Sequence, residues 1–292
     1  MSIANQLKKE TWFDTKAYPF KSNYATINGR AMHYVDEGKG DILLMIHGTP
    51  AWSFLYRKMI QHFSKTHRCI VPDHLGFGLS EKSKDIDSSA PQLAKNLAEF
   101  IQQLGLKNIT LMVHDFGGPI GLSYAINFPD NVKKIILMNT WFWKTKDQEA
   151  VQKVDKILHS ALGKFLYLRL NLSPKVLLPK SFFNKKKLDN ATHKHYTHVL
   201  KNKADRWGLL QIGYSLLGAS DWYEEQWQQI DKIKNKPFLV LWGLKDEFIR
   251  PEYLDIWKAS LTNATIKTYE CGHFLQEEKP EELIEEISCF LD

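Results

Sequence analysis

The 292-residue sequence predicts an α/β fold with a mostly parallel sheet and helices on both of its faces. Three observations support this prediction. Short apolar runs typical of buried strands alternate with segments of helical spacing, and glycine-rich or polar turns separate them. One block without a convincing strand interrupts the alternation. We therefore expect a core domain formed by residues 1–140 and 230–292, and a helical cap (lid) over residues 141–229 inserted after the sixth strand.

The individual elements follow from local patterns. Asn28-Gly29 joins two alternating stretches, so residues 24–38 predict a hairpin. Continuous apolar runs predict further strands at residues 41–48, 68–73, 108–115, 132–140, 237–246 and 264–273. Helical spacing predicts helices at residues 91–105, 118–128, 251–261 and 280–291.

Composition narrows the class of protein. Hydrophobic residues make up 43% and charged residues 25%, an ordinary globular balance. The three cysteines lie far apart in the sequence, which indicates neither a disulfide framework nor a zinc site. The first ten residues lack the apolar stretch of a signal peptide, and no apolar run is long enough to span a bilayer. These patterns predict a cytoplasmic protein without a membrane partner.

The net charge of +6 is concentrated in a lysine-rich stretch between Lys175 and Lys203. No nucleic-acid-binding motif accompanies it, so we expect a solvated surface and no nucleic-acid partner. A basic field of this kind would also attract anionic substrates or help an anionic product to leave.

Four features fall at the ends of predicted strands. "HGTP" (47–50) follows one strand, Asp115 follows "NITLMVH", Asp246 follows "LVLWGLK", and His273 follows the last strand. Nucleophile, acid and histidine in this order match the catalytic triad of the α/β-hydrolase fold. Small residues after Asp115 fit the tight turn that such a nucleophile needs, although Val113 replaces the first glycine of the generic motif.

Each residue taken alone has a structural explanation. Asp115 precedes a glycine-rich helix start and would serve as an N-cap, while Asp246 and His273 would be ordinary loop residues. His114 would pack behind the turn. Because chance rarely places all three at strand ends in this order, the joint pattern predicts a triad.

A carboxylate at this turn predicts chemistry different from that of serine. It is ionised at neutral pH and suits an sp³ carbon that carries a leaving group or belongs to a strained ring. The product is an ester of Asp115. His273, oriented by Asp246, would then activate water to hydrolyse the ester. The backbone N–H groups of Thr49 and Phe116 would form the oxyanion hole.

These motifs resemble those of haloalkane dehalogenases and their epoxide hydrolase relatives. The resemblance rests on "MHYVDEG", "HGTPAWSFLYRKMI" (47–60), "VPDHLGFGLSEK" (71–82) and "GHFLQEEKPEEL" (272–283), and covers nearly the whole core. It implies the α/β-hydrolase fold, a small hydrophobic substrate, water as the only cosubstrate, and no metal or cofactor. The sequence leaves open whether the chain is a monomer or a homodimer.

Two positions depart from the family pattern. The family usually places Trp after the nucleophile, where its indole N–H binds the halide, and often Asn after His-Gly; here these residues are Phe116 and Thr49. Trp141, Trp143 and Trp207 are the candidate replacements for halide and substrate binding, although the pattern "NTWFW" favours packing for the first two. Asn139 occupies the place where another subgroup of the family carries its acid.

The missing indole keeps other electrophiles open. An epoxide hydrolase would need two cap tyrosines to protonate the ring oxygen, and Tyr167, Tyr196 and Tyr214 lie in that region. A β-lactone decarboxylase of the same family would need no halide site. A non-catalytic small-molecule receptor is disfavoured, because it would have no need to keep the triad together.

Overall fold

The computed structural model describes residue 7 and residues 9–292. Residues 1–6 and 8, part of the segment in which the sequence predicted no signal peptide, lie outside the described residues. Eight strands form one sheet in the order β1-β2-β4-β3-β5-β6-β7-β8. Their bounds are β1 Asn23–Ile27, β2 Arg30–Glu37, β3 Ile42–Ile46, β4 Arg68–Pro72, β5 Ile109–His114, β6 Val132–Met138, β7 Phe238–Gly243 and β8 Thr265–Tyr269.

The sheet is antiparallel only at its first edge. β1 and β2 form the predicted hairpin, and Asn28 and Gly29 both take the positive φ that its tight turn requires. β2 also pairs antiparallel with β4, whereas the remaining neighbours pair in parallel. β5 and β7 are fully buried apolar runs, as expected of central parallel strands covered on both faces.

Helices cover the sheet and fill the connection between β6 and β7. The α-helices of four or more residues are α1 Arg57–Phe63, α2 Ala90–Gln103, α3 Gly117–Asn127, α4 Glu149–His159, α5 Ala161–Leu168, α6 Asn190–His198, α7 Trp207–Gly218, α8 Ser220–Trp227, α9 Pro251–Ser260, α10 Leu275–Glu278 and α11 Pro280–Leu291. Helices α4 to α8 follow the sixth strand and precede the seventh, so the predicted place of the helical insertion is confirmed. None of the described helices is both long and apolar enough to cross a membrane.

The end of β8 differs from the sequence prediction in an informative way. β8 ends at Tyr269 rather than reaching residue 273, and His273 therefore lies in a loop. β8 lies at the edge of the sheet, and its side chains are mostly exposed. Among the described residues it pairs with β7 alone, so no second strand is present to extend it further. Gly243, the last residue of β7, approaches the Gly272 carbonyl so closely that a Cβ would lie 2.2 Å from that oxygen.

The carboxyl ends of β3, β5, β6 and β7 lie at one edge of the sheet, since these strands run parallel. Residues 47–50, Asp115, Asn139 and Asp246 all follow those ends. This topology brings together side chains that are up to 200 residues apart in the sequence, and it places the chemistry where open α/β sheets bind ligands.

Candidate active site

Asp115 occupies the sharp turn between β5 and α3 with a φ of 54°. A non-glycine residue in this left-handed region is strained by of the order of 1–3 kcal/mol, so the surrounding structure must hold it there. Gly117 and Gly118 make the turn possible: added Cβ atoms would lie 2.3 Å from the Ile46 carbonyl oxygen and 1.7 Å from the Thr140 hydroxyl. The Thr140 hydroxyl donates to the Asp115 carbonyl at 2.6 Å and fixes the turn from the other side.

The two carboxylate oxygens of Asp115 have different surroundings. Oδ1 accepts a 2.7 Å hydrogen bond from the Thr49 N–H, and the Phe116 N–H also donates to this carboxylate. Oδ2 faces His273, whose Nε2 lies 3.6 Å away. No side-chain hydrogen bond caps the first turn of α3. The helix-cap explanation of Asp115 therefore does not account for the position of its carboxylate.

His273 is held by a carboxylate on its far side. Its Nδ1 donates to Asp246 Oδ2 at 2.7 Å, which leaves Nε2 directed at Asp115. The other oxygen of Asp246 accepts from the N–H groups of Phe248 and Ile249 at 2.8 and 3.0 Å. The side chains of Asp115, His273 and Asp246 are buried, and only those of His273 and Asp115 retain slight exposure.

Asn139 links the ends of β6 and β7 beside this pair. Its Nδ2 donates to Asp246 Oδ2 at 2.8 Å and to the Gly243 carbonyl at 3.2 Å, while its Oδ1 accepts from the Gly243 N–H. Its backbone carbonyl accepts from the Asp115 N–H. The residue that stands in the alternative acid position thus supports the carboxylate of Asp246 and the backbone of Asp115.

Burial and mutual attraction set the protonation of the two central groups. Burial raises the pKa of Asp115 above its ordinary value, although the nearby His273 and the two backbone N–H donors oppose this rise. Burial acts to lower the pKa of His273, but attraction to Asp246 and Asp115 outweighs it, so the pKa lies above 6.5. The imidazole is therefore placed to accept a proton near neutral pH.

The loop that carries His273 is tied to the helical insertion. The His273 N–H donates to the Ser181 carbonyl at 2.9 Å. Glu278, fully surrounded by protein, accepts from the N–H groups of Gly272, Phe183 and Asn184. His114 packs behind the turn as predicted from the sequence and contacts the His273 carbonyl through Nε2 at 2.8 Å.

A second side of the site carries donors without partners among the described residues. These are the Thr49 hydroxyl, the Trp141 indole N–H and the Tyr223 hydroxyl, all buried. The Trp141 ring contacts the Phe116 ring at 4.8 Å between centroids, and Tyr223 contacts Trp141 at 5.9 Å. Burial and the charge of Asp115 raise the pKa of Tyr223 well above 10, so its hydroxyl stays protonated. We call Thr49 Oγ1, Phe116, Trp141 and Tyr223 the leaving-group side.

The other two candidate tryptophans lie in separate contacts. Trp143 packs edge-on against the rings of Trp227, Tyr253 and Trp257. Trp207 lies beside a small apolar cluster of the insertion, with the Lys84 ammonium 5.6 Å from its ring. The structure thus brings Trp141 to the residue after Asp115, and it places Trp143 and Trp207 in packing positions.

The three tyrosines considered in the sequence are engaged elsewhere. The Tyr196 hydroxyl donates to Glu277 at 2.6 Å, and Glu277 also forms a buried ion pair with Arg57. Tyr167 and Tyr214 pack around the small apolar cluster of the insertion.

Sequence reasoning missed two residues, Tyr223 and the Thr49 hydroxyl. The direction of the Tyr223 side chain depends on how α8 docks on the core, which no local pattern records. From the sequence, Thr49 was noted only as the replacement for Asn. A short polar side chain at that place already indicated a hydrogen-bond donor in the site.

Comparison with known proteins agrees with this architecture. A family model for the α/β hydrolase fold matches residues 41–280. The chain belongs to the α/β hydrolase fold family. Haloalkane dehalogenase 2 of Mycobacterium tuberculosis (strain H37Rv) is 33% identical over 274 residues, which cover 92% of this chain and 94% of that protein. The chain is accordingly a haloalkane dehalogenase-like hydrolase, as the resemblance predicted.

Other relatives differ in the reaction that their names give. The cis-3-alkyl-4-alkyloxetan-2-one decarboxylase of Shewanella oneidensis is 30% identical, with 94% of this chain and 89% of that protein covered. Epoxide hydrolase 1 of Caenorhabditis elegans is 25% identical over 93% of this chain and 70% of that protein. Among solved structures, the haloalkane dehalogenase DatA from Agrobacterium tumefaciens C58 superposes with a TM-score of 0.83 at 22% identity, covering 93% of this chain and 96% of that one.

Proposed function

We propose that this enzyme displaces a leaving group from an sp³ carbon through a covalent ester on Asp115, and that its substrates are small haloalkanes. The unequal surroundings of the Asp115 oxygens carry this proposal. The backbone N–H groups of Thr49 and Phe116 donate to the carboxylate, and that of Thr49 holds Oδ1. Oδ2 lies 3.6 Å from His273 Nε2. A nucleophile needs one free oxygen and, later, one stabilised oxygen, and this carboxylate offers both.

In the first half-reaction, Oδ2 attacks the carbon and the leaving group departs with the electrons of its bond. The raised pKa of Asp115 reflects poor solvation, which leaves the ionised carboxylate a better nucleophile than one in water. The product is an alkyl ester whose carbonyl oxygen is Oδ1.

In the second half-reaction, His273 Nε2 takes a proton from water, and the water oxygen attacks Cγ of the ester. The N–H groups of Thr49 and Phe116 stabilise the oxyanion at Oδ1, and Asp246 stabilises the imidazolium. Collapse releases an alcohol that carries Oδ2 and takes its proton from His273. The water oxygen remains on Asp115, its second proton passes to solvent as the carboxylate re-forms, and the oxygen leaves with the product of a later turnover.

The leaving group would be received by the leaving-group side. The Trp141 N–H and the Thr49 hydroxyl have no partner among the described residues. The Trp141 ring contacts Phe116, the residue that lacks the family's indole, and the Thr49 backbone N–H contacts Asp115. We propose that these two donors, rather than Trp143 or Trp207, take the developing charge of the halide. Losing one such donor costs roughly 3 kcal/mol in related chemistry, or about a hundredfold in rate.

The Tyr223 hydroxyl favours a second candidate, a strained cyclic ester or ether as substrate. Ring opening leaves an oxygen anion that needs a proton or a strong hydrogen bond. A protonated tyrosine can supply either, because its hydroxyl is a stronger acid than an indole N–H or a threonine hydroxyl. Tyr223 is buried, unpartnered in the described chain and close enough to Asp115 for its charge to raise the tyrosine pKa.

Product analysis with the purified enzyme tests both candidates. Halide release from 1,2-dibromoethane and a 1-haloalkane series, absent in Asp115→Ala, supports dehalogenation. The absence of release from a folded sample, together with opening of an epoxide or β-lactone, supports the second candidate. In the His273→Phe variant, the mass added to Asp115 identifies the electrophile: an alkyl group for a haloalkane and the whole substrate for a ring.

We infer a core of residues 1–140 and 230–292 with a cap of residues 141–229 that selects the substrate. The enzyme would act in the cytoplasm on a small hydrophobic substrate, with water as its cosubstrate, as a monomer or homodimer. The buried state of Cys69 and Cys271, both free thiols, is compatible with a reducing compartment.

A further inference from the structure

The cap exposes an unusual concentration of apolar side chains. Of the ten large hydrophobic residues that are most exposed in the described part of the chain, six lie between residues 154 and 176. They are Val154, Ile157, Leu162, Phe165, Leu170 and Val176. Scattered exposed apolar residues are normal, but a group of this kind, with four of its six members on α4 and α5, marks an interaction site.

Local geometry keeps these side chains on the outside. α4 and α5 meet at Ser160, whose hydroxyl accepts from the Gly163 N–H and donates to the Ile157 carbonyl. Leu158 and Leu168 turn inward to the apolar cluster shared with Leu210. The inner face of each helix is thus already used, and the outer apolar side chains belong to neither apolar cluster of the described residues.

The same segment is strongly basic. Residues 153–176 contain five lysines and arginines and one acidic residue, and all five basic side chains are exposed. Extended to residue 187, the segment has nine basic residues against Asp155 alone, a formal charge of +8. The whole chain carries +6, so the remainder carries −2. Within the described residues, Lys153 is the one of these nine that forms an ion pair, with Glu149.

We propose that this surface, which we call the cap patch (Val154, Ile157, Leu162, Phe165 and Leu170 with Lys153, Lys156, Lys164 and Arg169), docks the enzyme on an anionic lipid bilayer. Helices with apolar side chains flanked by lysine and arginine bind at the headgroup boundary without crossing the membrane. The cores of protein interfaces are depleted in lysine, which favours lipid over a protein partner.

This inference goes beyond the proposed function and departs from the sequence prediction of no membrane partner. That prediction rested on the absence of a spanning segment, which says nothing about binding at the surface. If the substrate is a small hydrophobic molecule, as proposed, docking places the cap beside the phase into which such molecules partition. The docking itself does not depend on which bond the enzyme breaks.

Vesicle sedimentation with the full-length protein, without substrate, tests the proposal. We expect binding to vesicles of 70% phosphatidylcholine and 30% phosphatidylglycerol, and at least tenfold weaker binding to pure phosphatidylcholine. Phe165→Ser should weaken binding roughly tenfold, as expected for one buried aromatic side chain. Neutralising Lys156 or Lys164 by K156Q or K164Q should weaken it roughly fivefold each.

Matched substitutions on the core provide the control. Phe128 is as exposed as Phe165, and Lys95 is exposed on α2, so F128S and K95Q change the same chemistry away from the patch. These variants should bind like the wild type, and circular dichroism melting should show that all variants fold. Activity on a water-soluble substrate without vesicles should be unchanged in F165S.

Three results would overturn the proposal. One is no binding to the anionic vesicles, and another is equal loss of binding in the core and cap variants. The third is a concentration-dependent dimer in sedimentation velocity that F165S disrupts, because the occupant of the patch would then be a second copy of the chain.

Discussion

The two sides of the site are built in opposite ways. Around the nucleophile, Asp246 holds His273 beside Asp115, and the Thr49 N–H holds Oδ1 of Asp115. Asn139 and backbone N–H groups donate to Asp246. On the leaving-group side, the buried donors of Thr49, Trp141 and Tyr223 have no partner among the described residues. Buried donors without acceptors are costly unless a ligand completes them. We infer that the first side is preorganised for attack, and that the second awaits the group that departs.

The largest effect is expected from removal of the nucleophile. Asp115→Ala and the nearly isosteric Asp115→Asn should each lower turnover by roughly 10⁴-fold or more, because no other group forms the ester. Product formation and intact-protein mass measure this directly. Substantial turnover in the Asn variant, without conversion of Asn back to Asp, would show that water attacks the substrate directly.

Loss of the base should separate the two half-reactions. His273→Phe removes the proton acceptor for ester hydrolysis and leaves Asp115 free to attack, so one equivalent of leaving group should appear in a burst. Turnover should then fall by roughly 10³–10⁴-fold. A burst without an adduct on Asp115 would contradict the covalent mechanism.

The difference between the two sides also explains what the sequence was able to predict. Asp115, Asp246 and His273 follow strands, and the parallel sheet brings strand ends together whatever the loops do, so their proximity was foreseeable. Tyr223 lies on a helix of the insertion, and its orientation is decided by packing against Trp141. Asn139 was noticed as an alternative acid position, but its bridge to Asp246 required the register of β6 and β7.

The pH dependence of turnover tests how the His273 imidazole is held on the nucleophile side. Ester hydrolysis needs neutral His273. Burial acts to lower the pKa of this imidazole, and Asp246 acts to raise it, also after Asp115 has lost its charge in the ester. Turnover should therefore be full above that pKa and fall as the pH drops through it. Asp246→Asn removes the main attraction, so the acid limb should move to lower pH, while the maximal rate falls by roughly 10²–10⁴-fold.

A second substitution tests whether the place of the acid matters. Asn139 Nδ2 lies 2.8 Å from the Asp246 oxygen that receives His273 Nδ1. N139D combined with D246N moves the carboxylate to the end of β6, and we expect it to recover about tenfold of the lost rate and part of the pH shift. No recovery in a folded double variant would mean that only a carboxylate at the end of β7 can orient the His273 imidazole.

Substitutions on the leaving-group side should have intermediate effects that depend on the leaving group. Trp141→Phe and Thr49→Val should lower haloalkane turnover by roughly 10–100-fold each, since each removes one donor to the developing charge. Tyr223→Phe should matter most for epoxides or β-lactones, where an oxygen anion must be stabilised. Equal losses for both substrate classes in all three variants would show that these residues only shape the site.

Restoring the family's residue tests the same side by gain of function. Phe116→Trp supplies an indole N–H beside Asp115. Phe116 contacts the ring of Trp141, whose buried N–H has no partner among the described residues, so the new indole would lie next to that donor. We expect halide release to rise by about tenfold or more, with ring opening unchanged or reduced. A fall in halide release would mean that the larger ring displaces Trp141 instead of joining it.

The smallest effect is expected at Trp207. Its ring is partly exposed and contacts Lys84, an arrangement worth about 0.5–1 kcal/mol of stability, and its N–H is not needed for the donors proposed above. Trp207→Phe should change kcat/KM by less than about threefold and lower the unfolding free energy by less than about 1 kcal/mol. A loss of halide turnover as large as that in Trp141→Phe would mean that α7 moves toward Asp115 when substrate binds. The leaving-group side would then be assembled by closure of the cap, and its unpartnered donors would describe only the open enzyme.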